Sequence, residues 1–143
     1  MRDTHNLTRF VHAQQVTYCS VVEELRRGSK RGHWMWYIFP QLVGLGTSVK
    51  SQLYAIKSIE EAKAYYAHPI LGKRLQECTR LVMYNEDRTA KEIFGYIDNL
   101  KFHSCMTLFS CATGASEFRD ALDKCFDGEA DYLTIGILKK ADG

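Results

Sequence analysis

The sequence predicts a mainly α-helical protein, a compact single domain of about six to eight helices over residues 1–143 with minor strand content. Its 143 residues are 45% hydrophobic and 25% charged, which are the proportions of a globular domain. Apolar residues recur at intervals of three and four along most of the chain, the period of an amphipathic helix. Only two prolines interrupt the chain, and no repeat or low-complexity linker divides it. A chain of this length buries a sufficient core without a metal ion or disulfides.

Apolar residues at helical spacing predict a first helix from Leu7 to Leu25, which Gly28 ends. Gln14 falls in the apolar stripe of this helix, so its side-chain amide is expected to point inward and to need hydrogen-bond partners. Those partners are either other groups of the protein or a bound ligand, and the sequence leaves both open.

The most unusual segment follows Gly28 and contains both tryptophans. Residues Trp34–Phe39 are apolar throughout, which fits either a buried strand or a short buried helix, and Pro40 ends the segment in either case. Gly44–Ser48 predicts a tight loop before another element, with backbone amides and hydroxyls available to an anion. The loop is not a dinucleotide-binding fingerprint, because the third glycine, the preceding strand and the later acidic residue are not evident.

Capping and helix-breaking residues divide the second half of the chain, where the local signals are almost all helical. The expected boundaries are Ser58 and Glu61 as a capping box for a helix to about Ala67, Pro69 for a helix to about Tyr84, Thr89 and Gly95 around a short helix, Asp98 as the cap of a helix to about Ala112, and Ser116 and Gly128 around another. Asp131 opens a last apolar segment to Leu138, for which helix and strand stay open.

The charge balance and the cysteines limit the class of protein. Lys and Arg number 19 against 17 Asp and Glu, a net charge of +2, so neither nucleic acid nor a membrane surface is an expected partner. The five cysteines occur singly, without the short Cys and His spacing of a zinc site. The first residues are polar, unlike a signal peptide, and no apolar run is long enough to cross a bilayer. We therefore expect a cytoplasmic protein with neither a metal nor another cofactor.

The segment from Lys30 to Trp36 is the first candidate site. It offers two cations, an imidazole and two indoles, from Lys30, Arg31, His33, Trp34 and Trp36. The cations suit a phosphate, and an indole provides a surface on which a flat base or a sugar packs. The alternative is structural, with the tryptophans in the core and the basic pair in a solvated turn.

Lys101 and Ser104 form the second candidate site. They are three residues apart on a predicted helix whose other face is apolar, so they share one face. Together they suit an anionic ligand, or else they belong to a rim of solvated polar groups. Cys105 would act as a nucleophile only with a neighbouring base and a lowered pKa. No common local catalytic signature is present, so the catalytic residues stay unassigned.

With these residues in view, the chain resembles, over nearly its whole length, the bacterial family called domain of unknown function 1810. The motifs that carry the resemblance are Leu7-x-x-Phe10-Val11-x-Ala13-Gln14, the segment from Lys30 to Gly46, Tyr54-Ala55-Ile56, His68-Pro69-x-Leu71-Gly72-x-Arg74-Leu75, Ile93-Phe94-Gly95, and Leu100 to Phe109. The resemblance implies a mostly helical fold and no defined reaction. Some members bear the label calpastatin, which does not fit, because that inhibitor is a long disordered protein and this composition is globular.

The chain is also distantly similar to NADAR-type (NAD- and ADP-ribose-associated) domains, small helical proteins that include N-glycosidases acting on phosphoribosyl or ADP-ribosyl compounds. This similarity implies a pocket for a phosphorylated nucleoside or ribose compound, in an N-glycosidase-type hydrolase or a binding protein. The residues expected around such a ligand are Lys30, Arg31 and Lys101 at the phosphate, Trp34 and Trp36 at the base or sugar, Gln14 and Gln41 at ribose hydroxyls or base edges, and His33 and Ser104 beside them. Glu23, Glu24 and Asp98 are the available acids.

A rival hypothesis makes the protein a non-enzymatic interaction module. In that case Trp34–Phe39 is part of the core or forms a partner-binding surface. The sequence does not indicate the oligomeric state.

Overall fold

The computed structural model describes residues 3–142, and over this range the chain folds into nine α-helices. They are α1 (Thr8–Arg27), α2 (Met35–Ile38), α3 (Val49–Leu53), α4 (Ile59–Ala67), α5 (Leu71–Met83), α6 (Ala90–Phe94), α7 (Tyr96–Thr113), α8 (Ser116–Phe126) and α9 (Tyr132–Asp142). The only β-type pairing in this range is a single parallel bridge between Leu42 and Ile56. The predicted mainly helical fold is confirmed. None of these helices combines the length and the apolar character needed to cross a membrane.

Helix α1 ends where the sequence predicts. Gly28 has a φ of 74°, the left-handed conformation that glycine adopts at little cost, and its N–H bonds to the carbonyls of Glu24 and Leu25. The helix begins with help from upstream, because the Asp3 carboxylate accepts hydrogen bonds from the backbone N–H groups of Leu7 and Thr8 at 2.7 and 2.9 Å.

The segment around the tryptophans is the short helix α2, which resolves the choice between helix and strand. After Pro40 the chain runs alongside Ile56, whose N–H donates to the Gln41 carbonyl at 2.8 Å and whose carbonyl accepts from Val43 at 2.8 Å. The element predicted after the loop Gly44–Ser48 is the helix α3, whose type the sequence does not indicate. None of its residues is buried, so it has no apolar stripe. Ser48 caps it by accepting a hydrogen bond from the N–H of Ser51.

Two predicted helix caps are confirmed. Thr89 and Glu92 form a complete capping box at the start of α6. Asp131 opens the last segment, which is the helix α9, and its carboxylate accepts a hydrogen bond from the N–H of Thr134.

Two other predicted caps are wrong, and the capping box predicted for α4 forms only in part. Asp98 does not cap α7, which begins at Tyr96 after Gly95; Asp98 lies in the first turn of the helix. Ser116 is the first residue of α8 rather than its cap. At α4 the predicted cap Ser58 is confirmed, because its hydroxyl accepts a hydrogen bond from the N–H of Glu61 at 3.1 Å. The other half of the capping box is missing, because the Glu61 side chain accepts from the N–H of Lys57 and pairs with the Arg9 guanidinium.

Helix α7 is the centre of the fold. It packs against α4, α6, α8 and α9, and Phe102, Cys105, Met106, Leu108 and Phe109 on it are fully buried. Phe39 and Phe94 join Phe102 in an aromatic cluster with ring centroids 5.0 to 5.7 Å apart. Lys101 and Ser104 in the N-terminal half of α7 lie beside residues of the loop after α2.

Candidate functional site

A cleft lies between the N-terminal half of α7, the loop before α3 and the start of α9. Its volume is about 380 Å³, within the range of small-molecule sites. Four of the sequence-predicted binding residues line it, namely Trp36, Gln41, Lys101 and Ser104. We call it the α7 cleft.

Two lysines meet at the indole of Trp36, which is half-buried. The Nζ atoms of Lys101 and Lys50 each lie 5.1 Å from the ring centroid, at the distance of a cation–π contact. Lys50 is exposed on α3 and was not predicted as a site residue, because α3 itself has no sequence signal. Two positive charges therefore lie at the indole of Trp36, of which Lys101 lines the cleft and Lys50 does not.

Lys30 and Lys101 both pair with Asp98, and Lys101 is held less tightly than Lys30. Asp98 binds Lys30 through Oδ2 at 2.7 Å and reaches Lys101 through Oδ1 only at 3.5 Å. The Lys30 side chain is 8% exposed, and its ammonium also donates to the Gly32 carbonyl at 2.6 Å. Lys30 thus joins the loop after α1 to α7, a structural position, while Lys101 remains available to an anion.

The loop before α3 requires glycine at positions 44 and 46 for two different reasons. Gly44 has a φ of 98°, which only glycine adopts without strain. A Cβ on Gly46 would lie 2.6 Å from both Cβ and Oγ of Ser51, so the loop approaches α3 too closely for a side chain. This contact places Thr47 and Ser48 at the edge of the cleft, where both line it.

Asp131 is a cleft residue that the sequence indicates only as a helix start. Its Oδ2 atom lies 3.1 Å from the Ser104 hydroxyl and accepts from Thr134 through both N–H and hydroxyl, at 3.1 and 2.6 Å. Its own N–H donates to the Thr107 hydroxyl at 2.9 Å. No local signal could have placed it here, because Ser104 and Thr107 precede it by more than 20 residues.

Two predicted ligand contacts are core residues instead. Gln14 is 1% exposed, and its amide donates to the Tyr37 carbonyl at 2.7 Å and the Tyr65 hydroxyl at 3.0 Å. Trp34 is 2% exposed, and its indole N–H donates to Glu24 at 3.1 Å. Both side chains have protein partners and lie outside the α7 cleft, so the structural alternative holds for them.

Arg31 and His33 are exposed on the loop between α1 and α2 and do not line the α7 cleft. Glu24 closes this loop, since its Oε1 accepts from the N–H groups of Arg31 and Gly32 at 2.6 and 2.8 Å. Partial burial alone would raise the pKa of Glu24, but these N–H groups and the Trp34 indole hold it below its ordinary value. The loop is therefore a structural unit, and its Arg31 and His33 side chains face solvent.

Cys105 is the thiol that the sequence raises as a nucleophile. Cys105 is fully buried, and burial raises the pKa of its thiol well above the ordinary value, the opposite of what a nucleophile needs. Within the described range, no three His, Cys, Asp or Glu side chains are grouped so that they could hold a metal ion.

A second groove, of about 560 Å³, involves α1 and α5. Arg26 and Arg80 line it together with Glu77, Glu86 and Asp87, so its negative charges outnumber its positive ones and it does not favour an anionic ligand. It contains none of the predicted binding residues, which makes the α7 cleft the better candidate.

The fold and the cleft define a small helical protein whose candidate site is assembled from three separate segments of the chain. The chain belongs to the family described as protein of unknown function (DUF1810), whose model matches residues 4–138. This confirms the resemblance to that family, while the similarity to NADAR-type domains stays a prediction.

A solved structure has a closely similar fold. It is the crystal structure of the conserved hypothetical protein Rv1873 from Mycobacterium tuberculosis, which is 52% identical in sequence and superposes with a TM-score of 0.94. The match covers 96% of this chain and 99% of that chain. No curated protein matches the sequence. The comparisons therefore establish the family and the fold, and the activity has to be argued from the site.

Proposed function

We propose that the α7 cleft binds a phosphorylated nucleoside or an ADP-ribose-like compound, and that the protein is a binding protein or an N-glycosidase-type hydrolase for it. The observation that carries this proposal is the pair of ammonium groups, from Lys50 and Lys101, beside the indole of Trp36. Trp36 and Lys101 line the cleft of about 380 Å³, and Lys50 approaches the same indole from α3. Cations, hydroxyls and a flat aromatic surface in one place match the three parts of such a ligand.

The phosphate end of the ligand binds at Lys101 and Lys50. Lys101 is only 24% exposed, so its charge is less screened than that of a surface lysine. The hydroxyl of Thr47 at the same edge of the cleft can donate to a phosphate oxygen, whereas that of Ser48 already donates to Ser51. When the ammonium groups move to a phosphate, they leave the indole of Trp36, and its surface becomes available to the base or the sugar.

The reaction to test is hydrolysis of an N-glycosidic bond. The bond between C1′ and the base nitrogen breaks, the oxygen of water bonds to C1′, and a proton from that water goes to the leaving base. The acids expected from the sequence are occupied elsewhere: Glu23 pairs with Arg27, Glu24 closes the loop after α1, and Asp98 binds Lys30. Asp131 is the carboxylate that lines the cleft.

Binding is tested with NAD, ADP-ribose, AMP and ribose 5-phosphate, by thermal shift and then by calorimetry. A ligand at 100 times its Kd adds about 2.7 kcal/mol of apparent stability. Lys101→Met keeps the aliphatic stem but removes the charge, and we expect the affinity to fall roughly 10- to 100-fold. Trp36→Leu should weaken binding of the nucleotides more than that of ribose 5-phosphate, which has no base to stack.

The matched control is Lys91→Met, because Lys91 also lies over an aromatic ring, at 5.9 Å from that of Tyr96, but outside the cleft. It should bind as the wild type does. Equal loss in both lysine variants, or no binding by any of the four compounds, contradicts the proposal. For a compound that binds, release of its base is followed by chromatography.

A non-enzymatic interaction module remains the second candidate, on a different surface from the one expected. Met35, Ile38 and Phe39 are buried, so the segment around the tryptophans offers little surface to a partner. At the cleft itself, however, Ile97 and Leu133 are 67% and 54% exposed. If this apolar rim is an interface between copies of the chain, light scattering will show a mass that rises with concentration, and Leu133→Ser will abolish the rise.

A further inference from the structure

The Asp131 carboxylate is fixed through one oxygen only. Ser104 and Thr134 supply three donor groups to Oδ2, at 2.6 to 3.1 Å. Oδ1 accepts no hydrogen bond from any residue between 3 and 142. Because Asp131 lines the cleft while its Oδ2 is engaged with α7 and α9, Oδ1 is the oxygen that it can offer to a ligand.

The chemistry of Oδ1 selects its partner. A carboxylate oxygen only accepts hydrogen bonds, and it repels phosphate and other anions. Hydroxyl groups are its natural partners, and two adjacent hydroxyls can both donate to the same carboxylate. Dinucleotide-binding proteins use an acidic side chain for the ribose 2′-hydroxyl in the same way.

Lys101 and the residue that holds Asp131, Ser104, are close together on α7. Ser104, which contacts Asp131, follows Lys101 by three residues on the same face of α7. At 1.5 Å per residue the two lie about 4.5 Å apart along the helix axis. A ligand whose phosphate is at Lys101 therefore has its next polar groups, the hydroxyls of the sugar, close to Asp131.

We propose that Asp131 binds the 2′- and 3′-hydroxyls of a ribose through Oδ1, so that the protein selects ribose compounds over their 2′-deoxy counterparts. This inference rests on the proposed function of the α7 cleft and adds the class of sugar. It also assigns Ser104 and Thr134 as positioning residues, which hold the carboxylate but do not touch the ligand.

The wild-type protein is titrated by calorimetry with AMP and 2′-deoxy-AMP, and with ribose 5-phosphate and 2-deoxyribose 5-phosphate. We expect each ribose compound to bind on the order of 10-fold or more tightly than its deoxy partner, the effect of a hydrogen bond to a charged group. Asp131→Asn keeps an acceptor for the start of α9, since asparagine is a good N-cap, but presents an NH₂ donor in place of Oδ1. The preference should fall to about twofold or less, chiefly through weaker binding of the ribose compounds.

Asp127→Asn is the matched control, an exposed carboxylate outside the cleft at a φ of 54° that asparagine tolerates. It should keep the preference for ribose. Equal binding of the ribose and deoxy partners by the wild type overturns the inference and leaves the proposed function standing. An Asp131→Asn protein that loses both partners equally overturns it too, because a purely structural role would do this. If none of the four compounds binds, the proposed function falls and the inference with it.

Discussion

Gly46 illustrates how a single residue shapes the cleft through its neighbour rather than through its backbone angles. An added Cβ would lie 2.6 Å from Ser51, closer than real Cβ contacts, and must push the loop away from α3. We expect Gly46→Ala to lower the free energy of unfolding by about 1–3 kcal/mol, the usual cost of overpacking, and to weaken ligand binding. Chemical denaturation and calorimetry measure the two effects. Gly136→Ala is the control, because an added Cβ there meets nothing within 4 Å. Gly136 lies in the helix α9, where alanine is favoured over glycine, so this variant should not be less stable than the wild type. Equal stability of the two variants would show that the loop moves freely.

For the individual binding residues, the sequence indicated which side chains have suitable chemistry but not whether each points into the cleft or into the core. Trp36 and Lys101 were predicted and do line the cleft. Trp34, two residues from Trp36, was predicted for the same reason but lies in the core. Burial of Gln14 was predicted from its place in the apolar stripe, but its partner Tyr65 is 51 residues away. The spacing of residues along one helix cannot show whether such a side chain bonds to a distant part of the protein or to a ligand.

At the scale of elements, one ion pair joins the loop after α1 to α7. Lys30→Met leaves the Asp98 carboxylate, 20% exposed, with Lys101 as its remaining cation. We expect the free energy of unfolding to fall by about 1–3 kcal/mol, and phosphate binding to weaken because Lys101 is drawn to Asp98. Denaturation and calorimetry test both effects. Arg27→Met breaks a pair whose side chains are 70% and 62% exposed, and should cost less than about 1 kcal/mol without affecting binding. Unchanged binding in Lys30→Met would separate Lys30 from the cleft.

The same ion pair explains why one helix boundary was mispredicted. Aspartate is a residue type that often caps helices. The Asp98 carboxylate, however, is held by Lys30, and α7 starts before it at Tyr96. Boundaries set by local groups, such as Gly28 and the Thr89 capping box, were predicted correctly. The start of α7 was not, because the partner of Asp98 is Lys30, 68 residues earlier in the chain.

At the scale of the whole molecule, helical periodicity is local and made the fold predictable, whereas the cleft is assembled from the segments 36–51, 97–104 and 131–133. These segments meet only because the core around α7 holds them. The sequence pointed to residues in the first two segments and could not show that they face each other. Asp131 in the third segment was visible only as a helix start.

Three carboxyl groups make the stability of the molecule depend on pH in the acid range. Hydrogen bonds from the hydroxyl and N–H of Thr8 and the N–H of Leu7 lower the pKa of Asp3 to about 2. The N–H and hydroxyl of Thr89 lower the pKa of Glu92, and the loop after α1 lowers that of Glu24 in spite of its partial burial. Since the unfolded chain takes up protons at about pH 4, these contributions are complete above that value and are lost as the pH falls through the lower folded pKa values.

We therefore expect the Tm to decline from about pH 5 towards pH 2, as the folded state is forced to protonate carboxylates that it holds ionised. Glu24→Gln should lower the Tm at pH 7 and make the decline shallower, because one of the groups that links stability to protons is gone. Circular dichroism melts at several pH values measure both curves. Glu23→Gln is the control, because the neighbouring Glu23 carboxylate is exposed and receives no hydrogen bond from the loop. Parallel curves for the wild type and Glu24→Gln would mean that the closure of this loop contributes nothing to the acid sensitivity of the fold.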